Sequence, residues 1–431
     1  MSHNGLKFGL YEGDLNPALG LPIAGYSEQK KGIGFYDRLY VKAVSLKSGD
    51  TRVLLASVDT CGVGKKTCDA IREETEARHG VPRENVVILA THTHSAPDMD
   101  AWTPRMWASD LQKETNANRD RTKETICWSL SQAMALEEPV DSVTYSSTQI
   151  HGIFTNRNDP SRKIDNEVSA LMLKGKKTLL LVNHNYHPTI LGANNYYYSA
   201  DFPAYLTRRM NEKLGPTQVN CITGSCGDVS VRLVLGHEFS PRRNIGNTIK
   251  YGNQIGDSLV RCLKPGSAKK LKDSALVVKS KRLKFHVKKH PDKDEALSLK
   301  TRIEEEINNA KNLREKTALQ FKLEGVVQWL NILDLNAEIP PTLEVDTGSV
   351  SLGTDGFTLA WAPGEVCSHT GLTLKDKSKY KVTMLSGYGN AVIGYIPPPE
   401  SYEKEEYEAL STPVTGAAIK DLEETLVAMV S

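Results

Sequence analysis

The feature that most constrains the fold of this 431-residue chain is a rhythm, in which short apolar, β-branched runs recur beside helix-forming stretches. The runs are Leu39 to Leu46, Val53 to Val58, Val86 to Ala90, Leu179 to Asn183, Val219 to Thr223 and Phe357 to Trp361. They have the length of strands. Between them, Gly64 to His79 and Pro203 to Lys213 carry helix formers and stop at Gly80 and Gly215, where a glycine just past a helix end would sit. The alternation predicts an α/β chain of mixed β-sheet layers flanked by helices. No internal repeat and no Gly/Ser-rich or Pro-rich linker interrupts it, so one domain over 1–431 is expected. One charged stretch stands apart, an insertion at about 290–320. From Asp292 to Lys316 it spaces Ala296, Leu299, Ile303, Ile307, Ala310 and Leu313 three or four residues apart, which predicts one amphipathic helix on the body. Its polar face mixes Glu with Lys, the pattern of a solvated face and not of a membrane-surface helix.

Charge narrows the partners. Lys plus Arg number 54 against 52 Asp plus Glu, a formal +2, so nothing points to nucleic acid or an anionic membrane. A small, roughly neutral substrate fits better. The seven cysteines, at 61, 68, 127, 221, 226, 262 and 367, form no CxxC pair and suit neither a disulfide framework nor a thiolate zinc site. With no apolar h-region after the N-terminus and no window of ~20 apolar residues, export and membrane spanning lack a signal. A cytoplasmic location is expected.

Three segments carry chemistry. Ala90-Thr91-His92-Thr93-His94-Ser95-Ala96-Pro97 follows an apolar run, and if strand geometry continues, His92 and His94 project to one face at a strand tip. Sheets of this class place ligands there. Two imidazoles so placed suit a metal ligand beside an acid/base partner; exposed or capping histidines are the plain alternative. Asn183-His184-Asn185-Tyr186-His187-Pro188-Thr189 repeats the arrangement, with His184 readable as a polar strand residue and His187 set where the chain must turn. Thr223-Gly224-Ser225-Cys226-Gly227-Asp228-Val229-Ser230 is a glycine-rich turn that either offers donors to a substrate oxygen or is only structural. It is not a GxSxG elbow.

Taken together, these motifs and others along the chain resemble the catalytic domain of the neutral, non-lysosomal ceramidases. The resemblance begins at Gly25-Tyr26 and GIGFYDRLYVKAVSL. It continues through ATHTHSAP, Thr155-Asn156-Arg157, His187-Pro188-Thr189, Gly227-Asp228-Val229-Ser230 and Ala362-Pro363-Gly364-Glu365. It closes with Gly394-Tyr395-Ile396-Pro397-Pro398-Pro399-Glu400-Ser401-Tyr402 and Tyr407-Glu408-Ala409. No counterpart of the immunoglobulin-like domain that follows in that family is expected. The resemblance implies one zinc ion per chain held by His92, His187, Glu365 and Tyr395, with His94, Arg157 and Tyr407 around it and Ser230 as substrate contact or attacking group. Imidazole and carboxylate are ordinary zinc donors; a phenolate is less common.

The reading is zinc-dependent hydrolysis of a C–N amide bond, as in the N-acylsphingosine amidohydrolases of sphingolipid metabolism. The substrate is a small-molecule amide, which the resemblance makes lipid-like. Water activated by the metal is favoured over Ser230, because a buried hydroxyl without an adjacent base is a poor nucleophile. Two other readings stand beside it: a zinc hydrolase of a small soluble amide, N-acyl amine or peptide, and a non-catalytic metal-binding protein of the same fold. Retention of all four inferred ligands speaks against the second.

Overall fold

The computed structural model describes residues 5–431 apart from 27–29, 98, 100–111, 232–242, 265, 272, 290–291 and 335–339. Three sheets make the frame. One runs in the order Val86–Ala90, Thr51–Val58, Tyr40–Ser48, Leu6–Asp14, Glu138–Pro139. A second runs Gln218–Thr223, Thr178–His184, Glu167–Lys174, Ser142–Gln149, Lys269–Lys270. A third runs Leu276–His286, Thr342–Leu352, Phe357–Trp361, Val382–Ser386.

All three turn one face to a shared core. Val53 and Leu55, Leu171 and Leu181, and Leu359, Trp361 and Met384 meet in it. The intervening residues face outward under helices. Leu54 and Ala56 pack with Ile71 of Lys65–His79 and Ile126 of Gln112–Ala135. Ala170 and Leu180 pack with Leu206 of Phe202–Leu214 and Ile255 of Ile245–Cys262. Ala360 and Leu385 pack with Leu422 and Leu426 of Gly416–Val430. A strand covered on both faces has to be apolar at every position, which is why the runs read as continuous and not alternating. The α/β reading of the sequence holds. Each Leu or Val buried this way contributes about 1.5–3 kcal/mol relative to exposure, so the double cover is the main stabilising term.

Each sheet contains one parallel pair: Thr51–Val58 with Val86–Ala90, Thr178–His184 with Gln218–Thr223, and Phe357–Trp361 with Val382–Ser386. Parallel partners end at the same edge, and here the three pairs of tips are stitched to one another. Ala90 N donates to the Tyr388 carbonyl (3.2 Å), Gly387 N to the Thr223 carbonyl (3.1 Å), Thr223 Oγ1 to the Thr91 carbonyl (2.7 Å) and Asn183 Nδ2 to the Leu385 carbonyl (2.8 Å). Every chemistry-bearing motif named above lies at or just beyond these tips or in loops that pack on them.

The stretch 292–316 is two helices and not one. Lys293–Asn309 starts at a capping box made by Asp292 and Glu295, and the chain leaves helical geometry at Ala310 (ψ 127°). Leu313–Asp334 follows, with Asn312 Oδ1 accepting from Glu315 N at 3.0 Å. Asn side chains compete for backbone partners and favour helix ends over interiors, so the Asn-rich segment 308–312 splits the pattern. Ala296 and Ile303 pack against Val326, Trp329 and Leu330, closing a helical hairpin. No helix among the described residues is long and apolar enough to cross a membrane.

His184, at the tip of Thr178–His184, is buried against Phe202 (ring centroids 4.9 Å apart), with Nε2 3.4 Å from Thr223 Oγ1. Burial pushes its imidazole down to about 3. An unfolded imidazole titrates at about 6.5. Below that pH the unfolded chain takes up a proton that the native chain refuses until about 3. The stability is therefore complete above about pH 6.5 and is lost at roughly 1.4 kcal/mol per pH unit below it for this one group. Urea unfolding at pH 7 and pH 5 should show the wild type weakened at pH 5, and His184→Asn should narrow that difference.

Candidate metal centre

The Val86–Ala90 strand ends before the first histidine, and His92 adopts φ +62°, a left-handed conformation that is costly for a residue with a Cβ. The continuing strand expected from the sequence is thus corrected: a backbone kink at His92 turns the imidazoles inward. His187 arrives from the turn after Thr178–His184. The three rings meet edge to edge, with Nε2 atoms of His92 and His187 2.9 Å apart, His92 and His94 3.1 Å apart, and His94 and His187 3.0 Å apart. His184 does not join them. The far nitrogens are anchored, since His92 Nδ1 donates to the Cys61 carbonyl (2.6 Å) and His187 Nδ1 to the Cys226 carbonyl (3.2 Å). Those bonds leave each Nε2 lone pair facing the centre. Burial, reinforced by His92, holds His94 and His187 well below the ordinary imidazole value, so both are neutral near pH 7. His92 also stacks on Tyr388, with centroids 3.9 Å apart.

Glu365 reaches the same point from beyond Phe357–Trp361. Its Oε2 lies 3.3 Å from His92 Nε2 and 4.0 Å from His187 Nε2. Tyr395 is its direct partner in a short parallel ladder. Burial, then Glu365 and Tyr407, push the Tyr395 phenol well above its ordinary value. Arg157 stands among aromatic rings, its Cζ 4.8 Å from the Tyr407 centroid, 5.2 Å from that of Tyr395 and 5.4 Å from that of Phe321. Glu408 accepts from Arg157 Nε at 2.7 Å and from Asn158 Nδ2 at 2.8 Å. Ser230 pairs with Thr155 across a two-stranded ladder. His94, His187, Arg157, Ser230, Tyr395 and Tyr407 all line one small chamber of about 30 Å³.

Two solved structures share this architecture. The crystal structure of neutral ceramidase from Pseudomonas aeruginosa matches with a TM-score of 0.76 at 17% identity, covering 99% of this chain and 74% of that one. A ceramidase complexed with C2 matches with a TM-score of 0.75 at 17% identity, covering 99% and 75%. The chain has the neutral ceramidase fold. No protein-family model and no curated protein matches it.

Within the ceramidase fold, the donor set fits a metal ion. Donors around a tetrahedral zinc at about 2.0–2.1 Å stand about 3.3 Å from one another, and the spacings among His92, His187 and Glu365 are 2.9, 3.3 and 4.0 Å. Glu365 Oε2 is buried with no hydrogen-bond partner among the described residues, a costly state for a carboxylate oxygen unless a cation faces it. A second ligand-compatible group, Cys61 with His92 and His94, adjoins the first; its shared residue His92 already has Nδ1 engaged by the Cys61 carbonyl.

Several residues at the chamber carried no usable signal in the sequence. Phe321 comes from the helical hairpin and closes one wall, while Gln328 Nε2 of the same hairpin donates to Tyr407 Oη at 3.1 Å. The insertion expected to be a solvated decoration therefore shapes the chamber. Arg243 lines it as well. Glu408 lay inside a recognised motif, but its role as the partner of Arg157 depends on a contact across 251 residues.

Gly25 supports His94 by having no side chain. At φ +99° an added Cβ would fall 2.4 Å from His94 Nδ1, whereas at Gly20 (φ +91°) it would meet open space. Gly20→Ala should cost only backbone strain, about 1–3 kcal/mol. Gly25→Ala should cost measurably more in urea unfolding, because the ring must move as well; equal losses would show that the contact does not matter.

Proposed function

We propose that the chain is a zinc-dependent amidohydrolase that cleaves a C–N amide bond, with one catalytic domain over 1–431 and one zinc per chain. The observation that carries this reading is Glu365 Oε2, buried beside the His92 and His187 imidazoles and without a hydrogen-bond partner among the described residues. The ceramidase fold and the resemblance of the motifs support it. His92, His187 and Glu365 would hold the ion, and Tyr395 would complete the set as a phenolate, its proton passing to solvent. Zinc held there supplies Lewis acidity and makes water a competent nucleophile near neutral pH. Arg157, kept in place by Glu408, and Tyr407, kept in place by Gln328, face the developing oxyanion as donors. His94 moves the proton from the attacking water to the leaving amine. Ser230 contacts the substrate.

The favoured substrate is a lipid-like amide of the ceramide kind. A small soluble amide is the second reading, favoured by a formal charge of only +2, which gives no pull toward an anionic lipid surface. A cytoplasmic site of action fits the seven free cysteines.

Metal analysis and an amine-release assay over amides of graded acyl length test the reading. The purified protein should carry about one zinc, and His187→Ala should lose most of it. His94→Ala should keep the metal while kcat falls by ~100-fold or more, as for loss of an acid/base group. Full zinc content in His187→Ala, or zinc loss equal in both variants, would contradict these assignments.

A further inference from the structure

Besides Arg157, a second guanidinium lies in the chamber. Arg243 is 7% exposed and stands just ahead of the Ile245–Cys262 helix. Its Nη1 donates to the Thr189 carbonyl and its Nη2 to Ser230 Oγ, the latter at 3.1 Å. One planar fork thus ties the turn that follows His187 to the Val229–Val231 strand, a geometry that suits guanidinium better than ammonium. We propose that Arg243 is a positioning residue that fixes Ser230 as a hydrogen-bond donor to the substrate, an inference that rests on the amide-hydrolase reading above.

The argument follows from the inventory of a hydroxyl, which has one proton and two lone pairs. Arg243 occupies a lone pair. A guanidinium has no acceptor and keeps its protons, so the Ser230 proton cannot be directed back at it. A serine that attacks must hand its proton to a base within about 2.6–3.2 Å. The three imidazoles instead aim their Nε2 atoms at one another, and pairing with Thr155 fixes the Ser230 backbone. Among the described residues Ser230 Oγ donates to no acceptor, and its proton can serve a carbonyl or hydroxyl oxygen of a molecule in the chamber. A bond of this kind is made in the ground state and the transition state alike, so its loss raises KM and leaves kcat in place.

The test compares wild type, Ser230→Ala, Arg243→Met, Arg243→Lys and the Ser230→Ala/Arg243→Met double variant on whichever amide is cleaved, with crystal structures of both Arg243 variants. Each of the Ala and Met single variants should raise KM about three- to tenfold with kcat within about twofold. The double variant should be no worse than the worse single one, because both remove the same bond. Arg243→Lys, which keeps charge and a donor, should lie between wild type and Arg243→Met. In the Arg243→Met crystal, Ser230 Oγ should leave its wild-type position. Multiplied losses in the double variant, or a collapse of kcat in Ser230→Ala, overturns the proposal. If the wild type cleaves no amide, the amide-hydrolase reading falls by itself and the crystals decide positioning, an unmoved Ser230 Oγ overturning it. Should Arg243→Met not fold, Arg243→Lys carries both arms, with a raised KM and a displaced Ser230 Oγ expected and wild-type values in both overturning the proposal.

Discussion

Three imidazole nitrogens held within 3.1 Å of one another beside a buried carboxylate are the constraint on which this structure turns. The inward lone pairs of His92 and His187 repel at that distance, and each ring and the carboxylate loses hydration on entering the interior. The arrangement persists only because the frame fixes every donor from behind: Cys61 and Cys226 carbonyls hold two rings, Tyr388 stacks on one, and Gly25 leaves space for the third. A cation at the centre converts the same crowding into attraction.

The frame supplies those fixings through its topology. Each sheet contributes one parallel pair, and hydrogen bonds between strand tips of different sheets bring the three pairs together. The double burial that makes the strands uniformly apolar also leaves their tips as the places where polar side chains converge. Residues far apart in sequence meet there: His92, His187 and Glu365 from the three sheets, and Glu408 behind Arg157.

What was legible in the sequence follows the same physics. Val86 to Ala90 and Leu179 to Asn183 read as strands because both faces are buried, and the histidines after them stood out because imidazole is unusual at such an edge. The kink at His92 was not legible, since a positive φ at a residue with a Cβ is imposed by surroundings and not by local propensity. The second helix of the hairpin was missed because Asn312 caps it in the middle of an apparently continuous pattern. Arg243 was missed because it has no spacing rule to obey; only the fold shows that it reaches Ser230.

The central claim, that the imidazole and carboxylate convergence is a metal centre, is tested most directly by anomalous diffraction at the zinc edge from crystals of the protein as purified. The account predicts one peak about 2.0–2.2 Å from His92 Nε2, His187 Nε2 and a Glu365 carboxylate oxygen. The absence of a peak there, or a peak bound through Cys61 Sγ and the Nδ1 side of His92, would contradict it.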